Sequence, residues 1–203
     1  MCGRYVVKNP VTKTSSLVKS AIQVEDTENY NAHPYQKLPV IKKYKNGNTL
    51  EALKWGLVPG WAKDKEFKAL INARLETIDE KVSFKKLIKN HRCVAVADGF
   101  YEWKREENKK TPHYFVRKDT NVIYFAGIFE EDQFCLITEE AKENIKEIHH
   151  RQPVILNQAD VNSYLNLELQ GSAFLNERKV PDLVFHEVSK DVNKPTNNTA
   201  SLI

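Results

Sequence analysis

The sequence predicts an α+β domain whose core is an antiparallel or mixed sheet, or a barrel, flanked by short helices. Three observations carry that expectation. Short stretches rich in β-branched and aromatic residues follow one another along the chain, helical patterns are few, and Asn46-Gly47 between two apolar stretches is a strong hairpin signal. Strands that succeed one another, rather than alternate with long helices, disfavour a doubly wound parallel sheet. Neither GxGxxG nor GxxxxGKS/T occurs, so nucleotide-phosphate loops are not supported.

In chain order, the expected strands are Arg4–Val7, Leu38–Tyr44, Thr49–Leu57, Cys93–Ala97, Tyr101–Lys104, His113–Arg117, Val122–Phe129, Phe134–Thr138, Val154–Leu156 and Leu183–His186. Thr14–Ile22 and Ser83–Asn90 are short helix candidates. Thr138 is placed to cap a helix over Glu139–Ile148, with acids in its first turn and Lys146 near its last, and Asn157 to cap a helix running through Tyr164. No repeat and no Pro/Gly/Ser-rich linker divides the chain, so a single domain over residues 1–203 is expected, with an irregular tail from about Val192.

Composition narrows the class. The 203 residues are 41% hydrophobic and 10% aromatic with only 7 Gly and 8 Pro, which excludes collagen-like, low-complexity and wholly disordered chains. With 31 Lys plus Arg against 27 Asp plus Glu, the formal charge is 31 − 27 = +4, which permits nucleic-acid binding without demanding it. Apolar runs such as Cys93–Ala97 fall far short of the roughly 18 residues of a membrane span, and Lys8 with Lys13–Ser16 interrupts any secretory signal. A soluble, cytoplasmic protein with no membrane partner is expected. Cysteines at 2, 93 and 135 fit neither a disulfide framework nor a CxxC zinc site, so a reducing compartment, no metal and no cofactor are expected, with Cys93 and Cys135 as buried hydrophobes.

The most informative position is the second. Removal of Met1, which precedes a small side chain, would leave Cys2 with an α-amine of pKa about 7.7–8.0 beside a thiol of about 8.5. Such a 1,2-aminothiol condenses with an aldehyde to an imine, and the sulfur closes on the imine carbon as a five-membered thiazolidine. An N-terminal cysteine can equally serve an amidohydrolase, its own amine acting as base, or have no reaction at all.

Other constellations bear polar chemistry. Alternation over Ile71–Thr77 puts Asn72, Arg74 and Glu76 on one face of an extended segment, where Arg74 could hold a phosphate and Asn72 orient an amine or sugar hydroxyl; a solvent-facing strand edge is the plain alternative. Glu102, flanked by Tyr101 and Trp103, is a carboxylate among aromatic faces that could move protons near neutrality, or simply pair with Lys104 or Arg105. In His149-His150-Arg151-Gln152-Pro153 the adjacent rings are expected to point apart, which argues against a shared metal and leaves one histidine at a helix end able to handle protons. His33, His91, His113 and His186 read as structural or solvated. Trp55 and Trp61 flank a Gly/Pro turn followed by Lys63, Lys65 and Lys68, a pattern suited to unstacked bases and phosphates, with Trp55 preferred as core. Lys85, Lys86, Lys89 and Arg92 read as a solvated basic helix face.

Taken together, Met1-Cys2-Gly3-Arg4-Tyr5, Tyr30-Asn31 with Pro34, Trp55 to Trp61, Asn72-Ala73-Arg74-x-Glu76-Thr77, Gly99 to Trp103 and His149-x-Arg151-x-Pro153 resemble the SRAP family, the SOS-response-associated peptidase-like proteins that crosslink to abasic sites in DNA. The motifs occur in family order from residue 1 to 153. The resemblance implies an α+β fold with a β-barrel-like core and a groove for single-stranded DNA containing abasic sites. It further implies that Cys2 forms the crosslink, that Asn72 positions its amine and the sugar, that Glu102 shuttles protons, that His149 acts as acid and base on the sugar oxygen, and that Arg4 and Arg74 bind flanking phosphates while Trp61 stacks near the lesion or wedges a duplex end. The family's peptidase label implies at most removal of the first residue, and a lyase-type activity comes with the imine. Gln152 stands where the family commonly has Met. Two rivals stay open: a thiol peptidase or amidohydrolase using Cys2 with His149, and a non-covalent single-strand DNA-binding module. The default oligomeric state is a monomer.

Overall fold

Alternating apolar residues define the strands of the computed structural model, which describes residues 2–63, 66–107 and 109–203; Met1 and Lys65, both singled out above, lie outside them. The elements run β1 Tyr5–Lys8, α1 Pro10–Thr14, β2 Ser20–Ile22, β3 Glu28–Ala32, β4 Lys37–Tyr44, β5 Gly47–Trp55, β6 Asn72–Arg74, α2 Leu87–Asn90, β7 Arg92–Ala97, β8 Gly99–Glu106, β9 Lys109–Arg117, β10 Ile123–Glu130, β11 Gln133–Glu140, α3 Glu143–Lys146, β12 Arg151–Pro153, β13 Ile155–Leu156, α4 Gln158–Leu165, α5 Ala173–Glu177 and β14 Leu183–Glu187. This is the expected α+β class, strand-rich with short helices.

One sheet of five strands has the order β14-β9-β8-β1-β3, antiparallel throughout. In the other, of order β12-β11-β10-β7-β4-β5-β2, a short parallel pairing of β11 with β5 closes β4, β5, β11, β10 and β7 into a ring, the barrel-like core. β7 shows why its residues are small and branched. Cys93, Ala95 and Ala97 enter a core shared with Cys2, Tyr5, Phe100 and Trp55, whereas Val94 and Val96 enter a second core against α2 and α4, so β7 is buried on both faces. Gly47, at φ +127°, turns the β4–β5 hairpin as the Asn-Gly pair predicts. Among the described residues no helix is long and apolar enough to cross a membrane.

Every expected strand forms, with bounds shifted by a few residues at most. Two helix expectations are corrected. Glu139 and Glu140 continue β11, and the only helix in the expected span is α3; Thr138 is fully buried and Glu139 nearly so, because Arg178 and Gln152 bind the Glu139 carboxylate across the fold. In place of a helix over 14–22, α1 ends at Thr14 and β2 adds in parallel to β5. Pro10 starts that helix early, at the position where a missing N–H costs nothing. Asn157 does cap α4, in a reciprocal capping box with Asp160. Arg92 is no solvated face: buried, it donates to the carbonyls of Ile88, Tyr164, Leu169 and Gly171. Toward the C-terminus, short 3-10 turns at Lys190–Asn193 and Ala200–Leu202 bury Val192 and Leu202 against β1 and β8 residues.

Candidate active site

The pairing of β1 with β8 sets the register of the site. Tyr5 lies opposite Phe100 and Val6 opposite Gly99, and the Tyr101 N–H donates to the Arg4 carbonyl at 2.9 Å, which carries the start of the chain alongside Glu102. Gly99 is required there, since a Cβ would sit 2.4 Å from the Tyr114 hydroxyl and 2.6 Å from the Phe115 carbonyl oxygen. Cys2 is fully buried. From β6, whose Asn72 pairs with Leu136 of β11, the Asn72 Nδ2 donates to the Cys2 carbonyl at 2.9 Å. The Oδ1 of the same amide is buried with no hydrogen-bond partner among the described residues, so it offers an acceptor.

Burial sets the electrostatics. It pushes the Cys2 thiol well above its ordinary range, and Glu102 pushes the same way, while the chain's α-ammonium and a hydrogen bond from the Arg4 backbone N–H oppose. Glu102 is 3% exposed. Burial raises its carboxyl above the usual value; the α-ammonium, the Trp103 backbone N–H and the His150 ring act against that rise. A protonated thiol and a carboxyl held toward neutrality therefore share one dry corner, suited to proton transfer.

His149 lies just before β12, which pairs with β11. Its Nδ1 lies 3.0 Å from both the N–H and the carbonyl oxygen of Arg151. The neutral ring accepts the Arg151 N–H, and a protonated ring donates to the Arg151 carbonyl, so Nδ1 has a partner in either state. Burial lowers its proton affinity, the Arg151 backbone hydrogen bond raises it, and the positive charges of the α-ammonium, Arg105 and Arg151 lower it further. The His149 and His150 rings do not point apart as expected. They stack, centroids 4.5 Å apart and planes at 29°, because the chain bends at His150.

A strut fixes these parts. Arg151 binds Glu76 through two hydrogen bonds, 2.7 and 2.9 Å, and donates to the Thr138 carbonyl at 2.7 Å, while Glu76 accepts from the Glu140 N–H. The extended segment expected over 71–77 thus ends at Arg74, and Leu75–Thr77 turns so that Glu76 faces Arg151 rather than lining up with Asn72. Beside the strut lies an open cleft of about 640 Å³ lined by Arg74, Glu76, Glu140, Lys146, His150 and Arg151.

Comparison with known proteins decides the family. The SOS response associated peptidase (SRAP) family model matches residues 1–195. The chain belongs to the SRAP family. Over its full length this SRAP chain is 34% identical to the abasic site processing protein YoqW of Bacillus subtilis, covering 99% of that protein, and 31% identical to the abasic site processing protein YedK of Escherichia coli, again covering 99%. Its fold is shared by a crystal structure of a protein from Bacteroides thetaiotaomicron, with TM-score 0.84 and 24% identity over 99% of this chain and 98% of that one.

Of the SRAP residues expected from the sequence, Cys2, Asn72 and Glu102 come together, and the charge of the His150 ring acts on Glu102. Arg74 is exposed on the cleft. Arg4 is differently placed: its Nη1 donates to Asn31 Oδ1 at 2.6 Å and to the Val192 carbonyl at 2.7 Å, and its guanidinium lies over the Trp103 ring. Trp61 is 53% exposed, edge-on to Phe67, whereas Trp55, Cys93 and Cys135 are core. Glu102 does not pair with Lys104, which binds Glu106. Sequence reasoning assigned no role to Tyr5, whose hydroxyl is buried with no hydrogen-bond partner among the described residues and whose proton is held by burial and by the thiols of Cys2 and Cys93. Gln152, fully buried, fills its site by hydrogen bonds, donating to Glu139 at 2.8 Å and accepting from the Lys142 N–H at 2.9 Å. The Gln152 bonds have no local signal, since Glu139 and Lys142 lie ten or more residues away in the chain.

Proposed function

We propose that this SRAP protein processes abasic sites in single-stranded DNA by forming a thiazolidine crosslink through Cys2. The observation that carries the reading is the placement of Cys2 against Asn72 and Glu102, in a chain whose relatives are named for abasic site processing. Hydrolytic loss of Met1, by the chain itself or by an aminopeptidase, first bares the Cys2 amine.

An abasic deoxyribose is mostly a closed hemiacetal. In its opening, the C1′ hydroxyl passes its proton to the Glu102 carboxylate, the C1′–O4′ bond breaks, and protonated His149 delivers a proton to O4′. The Cys2 amine, oriented by the Asn72 amide, adds to the C1′ aldehyde. Glu102, protonated, donates to the hydroxyl of that adduct, which leaves as water and yields the imine. Sulfur then attacks C1′ and the thiol proton passes to nitrogen, so the net change is loss of one water. Ring closure within one residue gains the effective molarity of a well-oriented intramolecular step. Left unclosed, the imine permits lyase-type cleavage, in which C2′ loses a proton and the 3′ phosphate departs.

The test is a denaturing gel of the protein with uracil-containing single-stranded DNA, with and without prior uracil excision. A heat-stable adduct is expected only after excision and only with Cys2 intact; Cys2→Ser should give a transient imine alone. An adduct equal on intact uracil, or surviving in Cys2→Ala, overturns the reading. Peptide hydrolysis lost in Cys2→Ala favours a thiol hydrolase, and equal binding by both variants with no adduct favours a non-covalent module.

A further inference from the structure

The geometry points to His150 as a positioning residue for His149: its imidazole, stacked face to face on the His149 ring at the wall of the cleft, sets when His149 carries a proton. This rests on the proposed role of His149 and adds to it a residue to which neither the sequence nor the comparisons give a function.

Three observations support it. The two centroids are 4.5 Å apart with planes at 29°, close enough that a charge on one ring opposes a charge on the other. The rings differ in access: His149 is half-buried with Nδ1 tied to Arg151, whereas His150 is exposed and lines the cleft with Arg74 and Lys146. The charged groups around them divide the same way. Burial lowers the proton affinity of both rings; the positive charges of Arg105 of β8 and Arg151 of β12 lower that of His149 further, while His149 and Arg151 lower that of His150 and Glu102 of β8 works the other way on His150. Glu76 is committed to Arg151 and Glu140 to Lys146, so the nearby acids on the cleft wall already have cationic partners. The pair therefore holds one proton more readily than two, and the exposed ring takes it before the half-buried one. His149 gains its proton only as the cleft turns acidic or His150 is discharged, so the proton it gives to the sugar oxygen is loosely held and is exchanged in both directions of the reaction.

Two variants of this exposed residue separate charge from packing. His150→Phe keeps an aromatic face without charge, and His150→Lys keeps charge without the ring. Imidazole NMR titration of His149 in the full chain reads the coupling without DNA. The expected result is a midpoint raised in His150→Phe and lowered in His150→Lys, each by ~0.5 pH unit or more, the order that Coulomb's law gives for unit charges at this separation in a watery dielectric. The pH profile of crosslink reversal should move by the same amounts in the same directions. A His149 midpoint unchanged in both variants, or moved the same way by both, overturns the inference. If the midpoints move as expected but the wild-type protein forms no adduct, the crosslinking reading fails while the coupling stands.

Discussion

The side-chain amide of Asn72 donates to the carbonyl of Cys2 at 2.9 Å, and that bond joins the barrel sheet to the segment that leads into the first strand of the other sheet. Asn72→Ala leaves the Cys2 carbonyl without its donor in a buried place. We expect a loss of about 1–3 kcal/mol in unfolding free energy, read by denaturant titration, together with a slower crosslink. A variant as stable and as fast as wild type would remove Asn72 from the site.

Glu102 has the opposite relation between stability and work. Its folded proton affinity lies above the unfolded value, so the stability it contributes is fully present below the ordinary carboxylate range and is lost as pH rises through the raised value. Glu102→Gln should therefore melt higher than wild type at neutral pH, the difference shrinking in acid, while crosslinking slows by about 10²-fold or more, the scale of a general acid. Scanning calorimetry from acid to neutral pH checks the first half and single-turnover kinetics the second; a variant less stable at neutral pH contradicts the burial argument.

The Tyr5 hydroxyl is buried with no hydrogen-bond partner among the described residues. Since an unmet buried polar group costs about 1–3 kcal/mol, Tyr5→Phe should leave stability unchanged or raise it by ~1 kcal/mol. A clear loss in chemical denaturation would mean that the hydroxyl is satisfied.

The two arginines should separate in binding experiments. Arg74 is exposed on the cleft, so Arg74→Ala should weaken single-stranded DNA binding and flatten the dependence of log affinity on log salt by ~0.7, one phosphate contact on a single strand. Arg4 is spent on Asn31 and the Val192 carbonyl, so Arg4→Ala should lower the melting temperature. An unchanged salt slope in Arg74→Ala would take Arg74 off the phosphate path.

Much of the fold was legible because strand patterns are local. Cys93-Val94-Ala95-Val96-Ala97 could read only as a buried strand, and Asn46-Gly47 only as a turn. The helix expected after Thr138 failed because its cap and first-turn acids are local cues, and the Arg178 and Gln152 partners of Glu139 are not. β6, three residues long, exists through its pairing to β11, and no window of sequence contains both. The site was legible as residue types: an aminothiol at Cys2, an acid among aromatics at Glu102, an amide at Asn72. Its geometry was not, since the histidine stack follows from the bend at His150, and the strut from Glu76 to Arg151 joins residues 75 apart.

Intact mass spectrometry of the protein after incubation with an abasic single-stranded oligonucleotide tests the central claim most directly. The account predicts a species weighing the chain without Met1 plus the oligonucleotide less one water, unchanged in mass by borohydride because the ring has already closed, and absent in Cys2→Ala. An adduct that retains Met1, or that forms at another residue, would contradict it.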